Sequence, residues 1–113
     1  MSNPVVTING RIGTDPDFKE FGDNRAIKFR VITSDRRRNE SGEWEDKDTS
    51  GWTVSAWNNL CDNSKKILKK GQEVIVIGTM TEDSWTDSSG VNRKSVEIKA
   101  TNIAVTTFSL SKE

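Results

Sequence analysis

The sequence predicts a small all-β domain with one helix. Three observations carry that prediction. β-branched and aromatic residues recur in short runs, most clearly Val74-Ile75-Val76-Ile77. Glycine and Asp/Asn/Ser clusters break those runs, as at Gly22-Asp23-Asn24 and Ser88-Ser89-Gly90. Only Leu60 to Leu68 spaces its apolar residues as a helix does.

The elements follow in order. Val6, Ile8 and Ile12 alternate with Thr7, Asn9 and Arg11, a half-buried first strand in which Gly10 and Gly13 mark a bend or bulge. Asp15-Pro16-Asp17 is a turn, and Phe18 to Phe21 is a short extension. Ala26 to Ser34 is the second strand, with Ile27, Phe29 and Val31 on one face and Lys28 and Arg30 on the other. Residues 35–49 have no apolar period and read as a long loop, the kind that is functional or disordered in a compact domain. Trp52 to Trp57 is the third strand. Asn58 or Asn59 then caps a helix with Leu60, Cys61, Ser64, Ile67 and Leu68 on one face. Gly71 stops it. Val74 to Ile77 is the fourth strand. A polar hairpin carrying Trp85 leads to the fifth, Ser95 to Ala100. Five strands with a helix between the third and fourth, and long 2–3 and 4–5 loops, is the order of an OB-fold barrel. The expected domain spans 1–105, and 106–113 is a short C-terminal tail.

Composition narrows the function. At 113 residues the chain is one domain. It has no histidine and one cysteine, Cys61, which excludes histidine catalysis, an internal disulfide and a thiolate metal site. Cys61 reads as a small buried hydrophobe. No apolar run is long enough for a membrane span, and MSNPVV lacks a signal-peptide pattern, so a cytoplasmic, nucleoid-associated protein is expected. Seventeen basic residues balance 17 acidic ones. A nucleic-acid site must therefore be a local basic face.

The chain resembles the bacterial single-stranded DNA-binding protein family (SSB) from about Val6 to Val105. The resemblance rests on Asn9-Gly10-Arg11-Ile12-Gly13-Thr14-Asp15-Pro16, on Val54 to Gly71 with its Leu-x-Lys-Gly ending, and on Val74 to Gly78 continuing through Trp85 to Gly90. It implies an OB-fold, sequence-independent binding of single-stranded DNA, a homotetramer or homodimer, and bases stacked on exposed aromatics. It implies no cofactor, no metal and no reaction. Trp85 matches the family's hairpin tryptophan and Trp57 the aromatic that closes the third strand. Two departures stand out. The aromatic after the second strand is replaced around Arg36-Arg37-Arg38, where Trp44 is a substitute, and the acidic partner-recruiting tail is absent.

The residues themselves give a consistent candidate set. Trp85 sits among Asp, Ser and Gly, where no core is available, beside Arg93 and Lys94. Trp52 and Trp57 are an odd number apart, so an unbulged strand puts Trp57 on the wet face and Trp52 in the core; a bulge at Gly51 would return Trp52 to the open face. Trp44 has acidic neighbours that repel phosphate, which leaves its role open. Lys28, Arg30, Arg36, Arg37 and Arg38 form the candidate phosphate track. Two other readings stand beside this one. A primosomal-type OB protein would act mainly through protein contacts. A carboxylate-dependent nuclease would use pairs such as Asp15 with Asp17, or Glu82 and Asp83 with Asp87, although carboxylates are common in turns.

Overall fold

The computed structural model describes residues 3–107, with the side chains of residues 35, 36 and 46–48 outside that description. Six strands and one helix follow in the order β1 (Val5–Ile12), β2 (Asp17–Phe21), β3 (Asn24–Arg38), β4 (Trp44–Trp57), α1 (Asn59–Ile67), β5 (Glu73–Thr86) and β6 (Asn92–Val105). The strands lie in the order β1-β5-β6-β4-β3-β2, and a further β1–β3 pairing makes the bonding ring-like. β2 is the expected extension, folded back on β3 through Phe18↔Ile27 and Phe21↔Asn24. Among the five ring strands the helix falls between the third and fourth, as the sequence order predicts.

Alternation builds the core. Ile27, Phe29 and Val31 from β3, Val54 and Ala56 from β4, Val74 and Val76 from β5 and Ile98 from β6 all point into the ring and are buried. The helix adds Cys61, and Leu68 seals its end. Burial raises the Cys61 thiol above its ordinary pKa, in keeping with a small core hydrophobe. Ile67 does not join this face as expected and is exposed. It lies about 240° around the helix from Cys61, since a turn takes 3.6 residues.

The helix start also differs from expectation. Asn58 holds the cap position but makes no side-chain cap bond. Its Oδ1 accepts the Arg25 N–H at 3.0 Å. Its φ of 55° is a left-handed value rare outside glycine. The fold holds it there because Arg25 also grips the helix, donating through Nε and Nη2 to Asp62 at 2.7 and 2.9 Å. That pair keeps the Asp62 carboxyl below the ordinary carboxylate range.

The largest departure is at residues 35–49. They are not a loop. β3 and β4 continue past the ring as a two-stranded hairpin with Asp35↔Lys47, Arg36↔Asp46, Arg37↔Glu45 and Arg38↔Trp44 opposed. Arg37 falls opposite Glu45, and an opposed pair of unlike charge stabilises a sheet without any apolar period. The Arg38 guanidinium lies 5.6 Å from the centre of the Trp44 ring. The turn is built like that of the β5–β6 hairpin. Asn39 Oδ1 accepts from the N–H groups of Ser41 and Glu43, as Asp87 Oδ1 does from Ser89 and Val91. Gly42 and Gly90 take matching positive φ values of 82° and 80°. The two hairpins raise the radius of gyration to 16.2 Å, against about 13 Å for a compact chain of this length.

The ring closes over a short seam, Arg11↔Ile32 and Ile12↔Val31. A Cβ on Gly10 would run into the Ile32 carbonyl and the Val31 side chain. Gly10→Ala should therefore destabilise the protein by about 1–3 kcal/mol, the usual cost of overpacking, read as a lower urea midpoint with an unchanged m-value. At Asn58, alanine keeps the strained φ and loses the bond to Arg25, so Asn58→Ala should cost about 1–3 kcal/mol. Asn58→Gly relieves the backbone and should cost less. Equal thermal melting of the two variants would contradict this account.

Candidate nucleic-acid interface

Outside the ring, the same alternation that buries the core presents a second set of side chains. Neighbouring strands align them in rows. Lys28 on β3 pairs with Ser55 on β4, and Ser55 with Lys99 on β6. One step along, Arg30 pairs with Thr53, and Thr53 with Glu97. Trp57 stands at the end of β4, beyond Ser55, and donates through Nε1 to the Ser55 hydroxyl at 3.3 Å. Phe21 comes from β2 to lie 5.8 Å from the Trp57 ring centre. Lys99 Nζ approaches the same ring at 6.0 Å.

Arg30 is held over this floor. Its Nη1 donates to Thr53 Oγ1 at 2.9 Å. Its guanidinium occupies the space that a side chain at position 51 would fill, so Gly51 is what lets it lie flat. Lys28 reaches across β4 to Glu97, Nζ to Oε1 3.1 Å. These contacts fix two cations that would otherwise sweep through solvent.

Strand β6 carries the same face towards the second hairpin. Arg93, Ser95, Glu97 and Lys99 alternate with the inward-pointing Ile98 and Ala100. Trp85 is directly opposite Arg93, so it shares that face, whereas Lys94 pairs with Ser84 on the alternate one. A cleft of about 270 Å³ at the hairpin edge is nevertheless lined by Trp85, Arg93 and Lys94 together. Arg93 Nε donates to Asp87 Oδ2 at 2.9 Å. That bond, with the N–H groups of Val91 and Ser89, holds the Asp87 carboxyl below its ordinary range.

The tryptophans divide as the strand period predicts. Trp52 is half-buried, packs against the core and donates through Nε1 to Thr33 Oγ1 at 3.0 Å. The bulge that could have turned it outward falls between Thr33 and Asp35, not at Gly51. Trp57 lies on the open face. Trp85 and Trp44 are 49% and 59% exposed, so both indoles have a free ring surface. The arginine run is split. Arg38 stacks with Trp44, Arg37 falls opposite Glu45, and the Arg36 side chain lies outside the described residues.

Phe21, Thr53, Glu97 and Lys99 were missed from the sequence. Phe21 had a signal, an aromatic beside a turn glycine with no apolar run to bury it. Lys99 and Glu97 had one too, the charged positions of an alternating strand. The carboxylates considered for metal do not converge. Glu82 pairs with Val96 and Asp83 with Ser95, on alternate faces, and Asp17 is ion-paired to Lys19 at 3.6 Å. Among the described residues no group of three or more Cys, Asp or Glu is arranged to hold a metal ion. No helix of the described residues is long and apolar enough to cross a membrane.

Comparison with known proteins agrees with this architecture. Residues 4–106 match the Single-strand binding protein family. Single-stranded DNA-binding protein 1 of a Nostoc species is 33% identical over 102 residues, which are 88% of this chain and 79% of that protein. The crystal structure of a small single-stranded DNA-binding protein from Streptomyces coelicolor superposes with a TM-score of 0.84 at 25% identity, covering 100% of both chains. A Plasmodium falciparum SSB solved in complex with ssDNA shares the fold, with a TM-score of 0.76 at 23% identity over 92% of this chain and 94% of that one. With a family match across nearly every described residue and the ring of strands that its solved relatives share, the chain belongs to the single-strand binding protein family.

Proposed function

We propose that this protein binds single-stranded DNA without sequence preference and protects it during replication, recombination or repair. One observation carries the reading. The aromatic rings of Phe21, Trp57 and Trp85 share a face with Lys28, Arg30, Lys99 and Arg93. Aromatic platforms accept any base because every base has a π-face, and interleaved cations follow the backbone. Bases stack on Trp57 with Phe21 behind it and on Trp85; Trp44, stacked with Arg38, extends the track along the first hairpin. Trp52 supports the floor from within. Stacking and phosphate contacts carry no base-edge information, so the reading assigns no sequence code, no cofactor and no reaction.

Self-association belongs to the same proposal. β1 pairs with β5 along its length but with β3 only at Arg11 and Ile12, leaving the other edge open from Val5 to Gly10. An open edge with little charge favours pairing with a second copy, towards a homodimer or homotetramer.

Titrating tryptophan emission with oligo-dT while measuring mass in solution tests both parts. Quenching and a multimer are expected. Trp85→Ala should weaken binding by about 1–3 kcal/mol, the cost of losing one base stack. An intact fold with parental affinity would overturn the stacking assignment.

The cations have a separate signature. Each phosphate neutralised on a single strand adds about −0.7 to the slope of log affinity against log salt. Arg30→Ala with Arg38→Ala should flatten that slope by about 1.4. Lys69→Ala with Lys70→Ala, beyond the end of the helix, should leave it in place, and Trp85→Ala should weaken binding without flattening it. An unchanged slope in the Arg30 and Arg38 variant would move the phosphate track elsewhere.

A further inference from the structure

The Lys28–Glu97 ion pair lies across the open face rather than beside it. Lys28 starts on β3, Glu97 on β6, and β4 runs between them. Lys28 is level with Ser55 and Glu97 with Thr53, so the pair crosses the floor diagonally, Nζ to Oε1 3.1 Å. Trp57 stands beyond Ser55 on one side of this bar, and Arg30 is bonded to Thr53 on the other. Along β6 the same carboxylate separates Lys99 from Arg93. Among the described residues it is the one acidic side chain of the face placed between cations in both directions.

A carboxylate on an ammonium group occupies the position a phosphate oxygen would take, with the same charge sign and hydrogen-bonding capacity. We propose that Glu97 is an internal phosphate mimic that sets the affinity of this face: a bound strand must open the Lys28–Glu97 bar and take its place on Lys28. The inference rests on the single-strand reading above and adds a residue that opposes binding. Both side chains are partly exposed, 52% for Lys28 and 32% for Glu97, so the bar can open without disturbing the core.

Glu97→Gln tests this by keeping the side chain's size and removing its charge. It should tighten oligo-dT binding about two- to fivefold at low salt, the strength of one exposed ion pair written as an equilibrium ratio. The gain should fade as salt rises, because salt already weakens the bar in the parent. Two controls separate the mimic from simple loss of negative charge. Glu82→Gln removes a nearby charge from the alternate face and should gain less. In a Lys28→Ala background, Glu97→Gln should lose most of its effect. Parental or weaker affinity in folded Glu97→Gln, an equal gain from Glu82→Gln, or a gain that persists without Lys28 would each overturn the assignment. A parent that does not bind oligo-dT would instead overturn the single-strand reading, and this inference with it.

Discussion

The closing seam between β1 and β3 is the constraint on which the other features depend. Two residue pairs join strands that otherwise diverge, β1 to stay with β5 and β3 to run out with β4. The seam forms only because Gly10 presents no side chain to the Ile32 backbone. Once it holds, the inward residues have nowhere to go but the common core, and the outward ones are fixed in rows. Lys28, Ser55 and Lys99 come from three strands and meet because β3, β4 and β6 are paired neighbours in that ring.

The cations of the face so formed are tethered. Lys28 is matched by Glu97 and Arg93 by Asp87, while Arg30 leans on Thr53 and Arg38 on Trp44. This is the local counterpart of a chain with 17 residues of each sign. The molecule does not attract a polyanion from afar as a basic protein does. Its cations are instead held in place, which lowers the entropy lost when they exchange one acceptor for another.

Much of this was legible in the sequence, for a definite reason. Wherever one face of a strand is buried, the period of two is written in apolar residues; thus Ile27, Phe29 and Val31 identified β3, and the odd spacing of Trp52 and Trp57 sorted core from surface. The hairpin at residues 35–49 has no apolar period in its sequence. Its strands pair across the chain, with Arg37 opposite Glu45, and a charged stretch of this kind looks like a solvated loop when read along the chain. The signal was in the turn, where Asn39-Glu40-Ser41-Gly42 has the pattern of Asp87-Ser88-Ser89-Gly90. The same blindness to cross-strand partners hid Glu97 and Lys99. The left-handed Asn58 could not be read locally, because its support is Arg25, far away in the chain.

The ring's connectivity also bears on how the chain must be made. β1 pairs mainly with β5, and β4 meets β6 only through the three pairs from Thr53 to Ser55. At ribosomal speeds of about 5–20 residues per second, the first strand waits several seconds for its partner to emerge. In that interval β2, β3 and β4 can pair locally, and β1 can reach β3 at Arg11 and Ile12. The far half of the β3–β4 hairpin pairs through its backbone from Asp35↔Lys47 to Arg38↔Trp44, in a stretch of sequence rich in charge. A nascent chain thus gains an early nucleus whose protruding end is mostly polar, with the exposed Trp44 indole lying against Arg38.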